Sequence, residues 1–229
     1  MSTTVAGPHE YRAPGFWQST NGKKAVMAVT GVILFLFIIG HLLGNLQIFE
    51  GPGPINAYGR FLKNTGELLW FVRAVLLACV GLHILATVQL ALRNQKARPT
   101  GYKVKKSVKS NYADRTMYWS GPIILAFVIF HILEFTAGTI HPESRFIEGD
   151  VYHNVVAGFS VWWVSAWYIF SMILLGFHLR HGLWSMFQSM GYNHPRHTPV
   201  LQQAALWISV AIVAGYISIP ISVLVGLVR

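Results

Sequence analysis

The sequence predicts an all-α fold, an integral membrane bundle of five transmembrane helices. Three observations carry this expectation. Five apolar stretches are each long enough for a bilayer, which takes about 20 residues; they run 25–48, 68–92, 117–139, 160–186 and 201–227. Hydrophobic residues make up 53% of the 229 residues and charged ones only 11%, against roughly 25% in soluble domains. The net charge of +10 comes mostly from short gaps between apolar stretches. That is a topology signal at a membrane surface, not a nucleic-acid-binding face.

In chain order, residues 1–24 are a polar cap containing Gly7, Pro8 and Pro14. They lack the apolar core of a secretory signal. Residues 25–229 form the membrane domain. The first span, AVMAVTGVILFLFIIGHLLGNL, is nearly uninterrupted. The second contains Cys79, the single cysteine. One thiol makes no internal disulfide, and an iron–sulfur cluster needs about four thiolates; Cys79 reads as a small buried hydrophobe. The basic stretch GYKVKKSVKSNY joins the second and third spans. A topology signal accounts for it, and a docking surface for a cytoplasmic partner accounts for it equally; both can hold. The fourth span opens with Trp162, Trp163, Trp167 and Tyr168, side chains that favour the headgroup level. The fifth contains Pro220, expected to kink it near its end.

Charge sets the orientation. Arg12, Lys23, Lys24, Arg93, Lys96, Arg98, Lys103, Lys105, Lys106, Lys109, Arg115, Arg180 and Arg196 fall on one side, 13 of the 18 basic residues. Glu50, Glu67, Glu143, Glu148 and Asp150 fall on the other. The positive-inside rule puts the N-terminus in the cytoplasm and Arg229 outside.

Ionisable groups within spans are costly and point to function. Each of the first four spans carries a histidine within its apolar run: His41, His83, His131 and His178. At about 1.5 Å per residue, His41 and His131 both lie roughly 25 Å from the inner surface. His83 is ten residues before Arg93 and His178 two before Arg180; both belong to the inner half, with His83 the deeper. The four therefore form two tiers. Two histidines at one depth on different helices can clasp a flat ring from both sides, as a bis-histidine haem requires. Two stacked haems among the first four spans are the expectation. A weak repeat supports the pairing: GVILFLFIIGHLLGN (31–45) matches GPIILAFVIFHILEF (121–135), and GLHILATVQLALR (81–93) matches GFHLRHGLWSMFQ (176–188). Gly31, Gly121, Gly81 and Gly176 precede the ligands and would admit a macrocycle or serve helix packing. A lone buried histidine is usually a structural hydrogen-bonding group; four in matched tiers are not. Zinc would want three or four ligands at one point. Arg180 and His181 could meet haem propionates, or snorkel to the interface. His9, His141, His153, His194 and His197 are expected near or outside the membrane surface.

These residues resemble the cytochrome b membrane subunit of succinate dehydrogenase and fumarate reductase, in its single-chain two-haem branch. The closest stretches are TGVILFLFIIGHLLGN and HLRHGLWSMFQSMGYN, and the resemblance covers residues 17–227. It implies two haem b groups, an outer one on His41 and His131 and an inner one on His83 and His178. It also implies a flavoprotein subunit with FAD and an iron–sulfur subunit on the cytoplasmic face. Electrons would pass between succinate or fumarate and a membrane quinone, menaquinone in preference to ubiquinone. The implied location is a bacterial-type cytoplasmic membrane, with a higher oligomer left open. One departure stands out: some relatives carry an acid just before the ligand of the fourth span, whereas residues 173–177 hold none.

The quinone site is weakly marked. Ser19, Thr20 and Lys23 are candidates at the inner end of the first span; Glu67, Arg73 and Glu134 are candidates at the outer side. Arg73 could instead pair with an outer propionate. Glu134, one turn beyond His131, could carry protons or make a supporting hydrogen bond. Two other functions compete: a different dihaem b cytochrome (b561-like) working without succinate, and a haem-free transporter relaying protons through its histidines.

Overall fold

The computed structural model describes residues 15–97, 112–142, 146–192 and 194–229. The basic stretch at 101–111, residues 1–14 of the N-terminal cap and Glu143 lie outside the described residues. All the described regular structure is helical. The helices are α1 (Thr20–Leu46), α2 (Pro52–Asn64), α3 (Glu67–Lys96), α4 (Tyr112–His131), α5 (Val151–Phe159), α6 (Trp162–Ser189) and α7 (Thr198–Leu224). Five of them are long and apolar enough to cross a membrane: α1, α3, α4, α6 and α7. This is the construction of a multi-pass membrane protein. Leu77 and Trp119, 74% and 75% exposed, show the bundle turning large apolar side chains outward, as only a lipid environment tolerates at this scale.

Local chemistry fixes the helix ends. α1 begins five residues earlier than its apolar run because the Ser19 hydroxyl caps it, accepting from Gly22 N at 2.8 Å. It closes in a tight turn, Gln47–Glu50, stopped at Gly51 with φ 97°. Hydropathy alone did not reveal α2 and α5. They are short, and α2 carries its apolar residues on one face, with Ile55 buried. Pro52 starts α2, where its missing N–H is harmless. Asp150 caps α5 by accepting from His153 N at 3.0 Å. The two helices pack on each other beyond the spans. The Lys63–Glu148 ion pair (2.5 Å), Asn56 bonded to Asp150 (2.9 Å) and Tyr152 bonded to the Arg229 carbonyl (3.2 Å) tie them together with the C-terminus.

The third span ends differently from expectation. After His131 the chain takes a wide π turn over Ile132–Thr136, with Ala137 N bonding Ile132 O at 2.8 Å, and then breaks at Gly138 (φ 68°). The span therefore closes three residues short of 139. Pro220 does lie inside α7, as does Pro122 inside α4.

The packing has a definite order. α1 packs along α3, α4 along α6, and α7 covers α6 while also touching α1. Among the described residues, α3 has no comparable packing with α4 or α6. The bundle thus consists of two helix pairs facing across a seam. α7 backs that seam where Tyr216 donates to the Ile38 carbonyl at 2.7 Å.

Candidate functional site

The seam is where the four intramembrane histidines meet. His41 of α1 faces His131 of α4, with ring centroids 5.7 Å apart and planes at 81°. His83 of α3 faces His178 of α6, with centroids 6.3 Å apart and planes at 56°. A metal–imidazole bond of about 2 Å plus about 1 Å from nitrogen to ring centre places two rings that share one ion about 6 Å apart. The two observed separations bracket that value. Among the described residues no three His, Cys, Asp or Glu side chains converge as a metal site. Each tier offers two imidazoles, a donor set that fits a haem.

The tiers are well separated. Thr30 marks the level of His83 on α1, because its hydroxyl lies 3.2 Å from His83 Nδ1. Eleven residues of helix then lead to His41, about 16 Å along the axis. On α6, Tyr168 is level with His131 and His178 with His83, ten residues or about 15 Å apart. The two measures agree.

Each tier holds its rings with neighbours. The Thr30 hydroxyl donates to Val26 O at 2.8 Å, so its oxygen is placed to accept from a protonated His83 Nδ1. That tautomer leaves Nε2 free for a metal. His131 Nδ1 has the equivalent partner in the Tyr168 hydroxyl at 3.2 Å, and Tyr168 in turn donates to Glu134 Oε2 at 2.7 Å. Phe37 stacks on His41 at 5.3 Å and Phe127 on His131 at 5.9 Å. His178 Nδ1 is buried with no protein partner; native interiors seldom leave such an atom without a ligand or water.

The glycines before the ligands divide in role. A Cβ on Gly31 would stand 3.5 Å from His83 Cε1, so Gly31 lies against that ring. Gly176 instead lets α6 approach α7, where Val213 Cγ2 would be 2.7 Å from a Cβ. A Cβ on Gly81 or Gly121 would meet nothing within 4 Å.

The weaker candidates scatter. The Ser19 hydroxyl serves as a helix cap, and Thr20 is the exposed first residue of α1. Lys23 is buried, and its ammonium donates to Trp17 O and Gln89 Oε1, both at 2.6 Å, over the Trp17 ring. Lys23 thereby ties the start of α1 to α3. Glu67 and Arg73 are exposed near the start of α3, with Arg73 over Trp70. Glu134 is fully buried instead. Arg180 and His181 are half-buried beside His178. His141 lies beyond the third span, as expected, and is buried against Phe135 and Phe146; burial and the nearby His153 hold its pKa below the usual histidine value.

Sequence reasoning missed Tyr168. Its composition places it with the headgroup-level aromatics, yet it is 6% exposed while Trp162 is 74% exposed. Its spacing from His178, ten residues on one helix, was the available signal. Comparison with protein-family models, with curated proteins and with solved structures gave no match, so the reading of this site rests on its own residues.

Proposed function

We propose that this chain is the dihaem cytochrome b membrane anchor of a succinate:quinone oxidoreductase. One observation carries the reading: four histidines, one from each of four spans, stand in two facing pairs at centroid separations of 5.7 and 6.3 Å. In this reading His41 and His131 hold one haem b, and His83 and His178 hold the other. Bound there, the two haems would supply one-electron carriage across the span. The residues' own part is to present two imidazoles to each group, to fix ring tautomers through Thr30 and Tyr168, and to keep water out with Phe37, Phe127 and α7. A haem held by two protein imidazoles would be suited to electron transfer over oxygen binding.

The assignment to succinate and fumarate chemistry rests on the sequence resemblance. So do the flavoprotein and iron–sulfur partners and menaquinone. The count of basic residues supports a cytoplasmic N-terminus.

A dithionite-reduced minus oxidised spectrum with haem quantification tests the core of this proposal. Two haems b per chain are expected. His41→Ala and His131→Ala should each lose the same one; His83→Ala and His178→Ala should each lose the other. No α band in the intact protein, or different haems lost from His41→Ala and His131→Ala, would refute it. Gentle isolation should bring FAD and iron–sulfur signals along; their absence from a haem-replete preparation would favour a b561-like cytochrome.

A further inference from the structure

The buried carboxyl of Glu134 has no evident structural reason to exist. It sits at 0% exposure, with Oε1 lacking any hydrogen-bond partner. Leaving a carboxyl there is costly unless it does something. The fold goes to some length to place it. The π turn over Ile132–Thr136 adds a residue per turn and swings Glu134 towards α6, a device that recurs at functional sites. Gly158 of α5 makes room, since a Cβ there would be 3.0 Å from Glu134 Oε1. The other oxygen accepts from the Tyr168 hydroxyl at 2.7 Å, and that hydroxyl lies 3.2 Å from His131 Nδ1. Around the chain stand Phe127, Phe135 and Phe159, with ring centroids 4.9, 5.7 and 4.8 Å from that of Tyr168. In so apolar a cage each hydrogen bond polarises the next.

We propose that Tyr168 and Glu134 are positioning residues that act on the iron through His131. Their hydrogen-bond chain makes His131 a more electron-rich ligand than its tier partner. The hydroxyl has a single proton and gives it to Glu134, so Tyr168 receives the Nδ1–H of His131. Pull on that proton raises the basicity of the ring's other nitrogen. A more basic ligand favours the ferric state and lowers the potential of the group that His131 holds. Among the described residues no hydroxyl–carboxylate chain reaches the other tier, where His83 meets the Thr30 hydroxyl and the Met27 backbone carbonyl. The chain therefore separates the potentials of two sites that otherwise offer the same ligands.

The inference rests on the haem reading, and the experiment keeps the two apart. Redox titration of each haem is performed on the intact membrane complex, with the His131→Ala spectrum identifying the outer one. Tyr168→Phe should keep both haems and raise the outer haem's potential by about 59 mV, a tenfold change in its reduced-to-oxidised ratio. The inner haem should not move. Glu134→Gln, which still accepts from the hydroxyl, should shift the outer haem the same way by less, and it decides the matter if Tyr168→Phe fails to assemble. The low-spin ferric resonance of the outer haem alone should shift in both variants. Unchanged potentials, or equal shifts in both haems, would overturn the inference while leaving the haem reading intact. A wild-type protein with no haem would instead remove the reading itself.

Discussion

At the residue scale, the site depends on small groups whose chemistry is local. Gly158 is the sharpest case. Replacing it with alanine gains helix propensity of up to about 1 kcal/mol. The added methyl would, however, press on Glu134 Oε1 and on Phe135 Cζ, each 3.0 Å away. Phe135 is an aromatic ring packed on both Phe159 and Tyr168, so it has little freedom to yield. Overpacking of this kind costs about 1–3 kcal/mol, and the clash wins. Gly158→Ala is expected to lower the thermal midpoint by a net loss of about 1 kcal/mol, read by tryptophan fluorescence on heating. A midpoint at or above wild type would show that Glu134 has room to move.

At the scale of elements, the α2–α5 layer combines buried side chains, Ile55, Val155 and Phe159, with a set of polar contacts. Asp150 accepts from His153 N and from Asn56 Nδ2 at 3.0 and 2.9 Å, and the Asn56 carbonyl oxygen accepts from Tyr152 N at 2.9 Å. The backbone N–H of His153 is the larger cause and the Asn56 amide the next in holding the Asp150 carboxyl below its ordinary pKa of 3.8. The sign follows from proton linkage. The folded state binds this proton less readily, so the stabilisation is fully present above the ordinary aspartate value. It is lost as pH falls through the lower folded value. Asp150→Ala should cost about 1 kcal/mol, the usual worth of a helix cap. Hydrogen exchange across Val151–Phe159 should quicken in the variant at neutral pH, and acid should produce the same change in wild type. Equal protection in both proteins at neutral pH would mean that the cap is dispensable. The exposed Lys63–Glu148 pair also holds its carboxyl below the ordinary range, but such pairs contribute little to stability.

At the scale of the whole molecule, the unusual feature is the seam. α1 with α3 and α4 with α6 form two packed pairs, and α7 bridges them. In lipid, helices associate by packing and hydrogen bonding, without the hydrophobic drive available in water. A cofactor clasped between the pairs would supply contact that the helices do not make for themselves. Protein made under haem limitation should therefore melt below the replete form. Saturation a hundredfold above the dissociation constant corresponds to about 2.7 kcal/mol per site. Coincident melting of the two preparations would mean that the pairs hold together unaided.

Much of this was legible in one dimension. Hydropathy set the five spans, since a bilayer demands a fixed length of apolar helix. Counting residues from the charged ends set the depths of His41, His83, His131 and His178, because a helix advances by a constant rise. The arithmetic matched His41 with His131, but it left His83 deeper than His178, and only the folded chain shows those two rings facing each other. Other features required the folded chain. α2 and α5, 13 and nine residues long, are too short to register as spans, and they pack on each other. Tyr168 and Trp162 are both aromatic and lie close in sequence, yet one is buried and the other exposed; helix rotation decides this, and packing against α4 and α7 fixes the rotation. The π turn that brings Glu134 to Tyr168 is likewise invisible in residue order, because the contact joins positions 34 residues apart on two helices. Spans and depths come from periodic geometry along a single chain, whereas the hydrogen-bonded company of each histidine comes from how neighbouring helices turn toward one another.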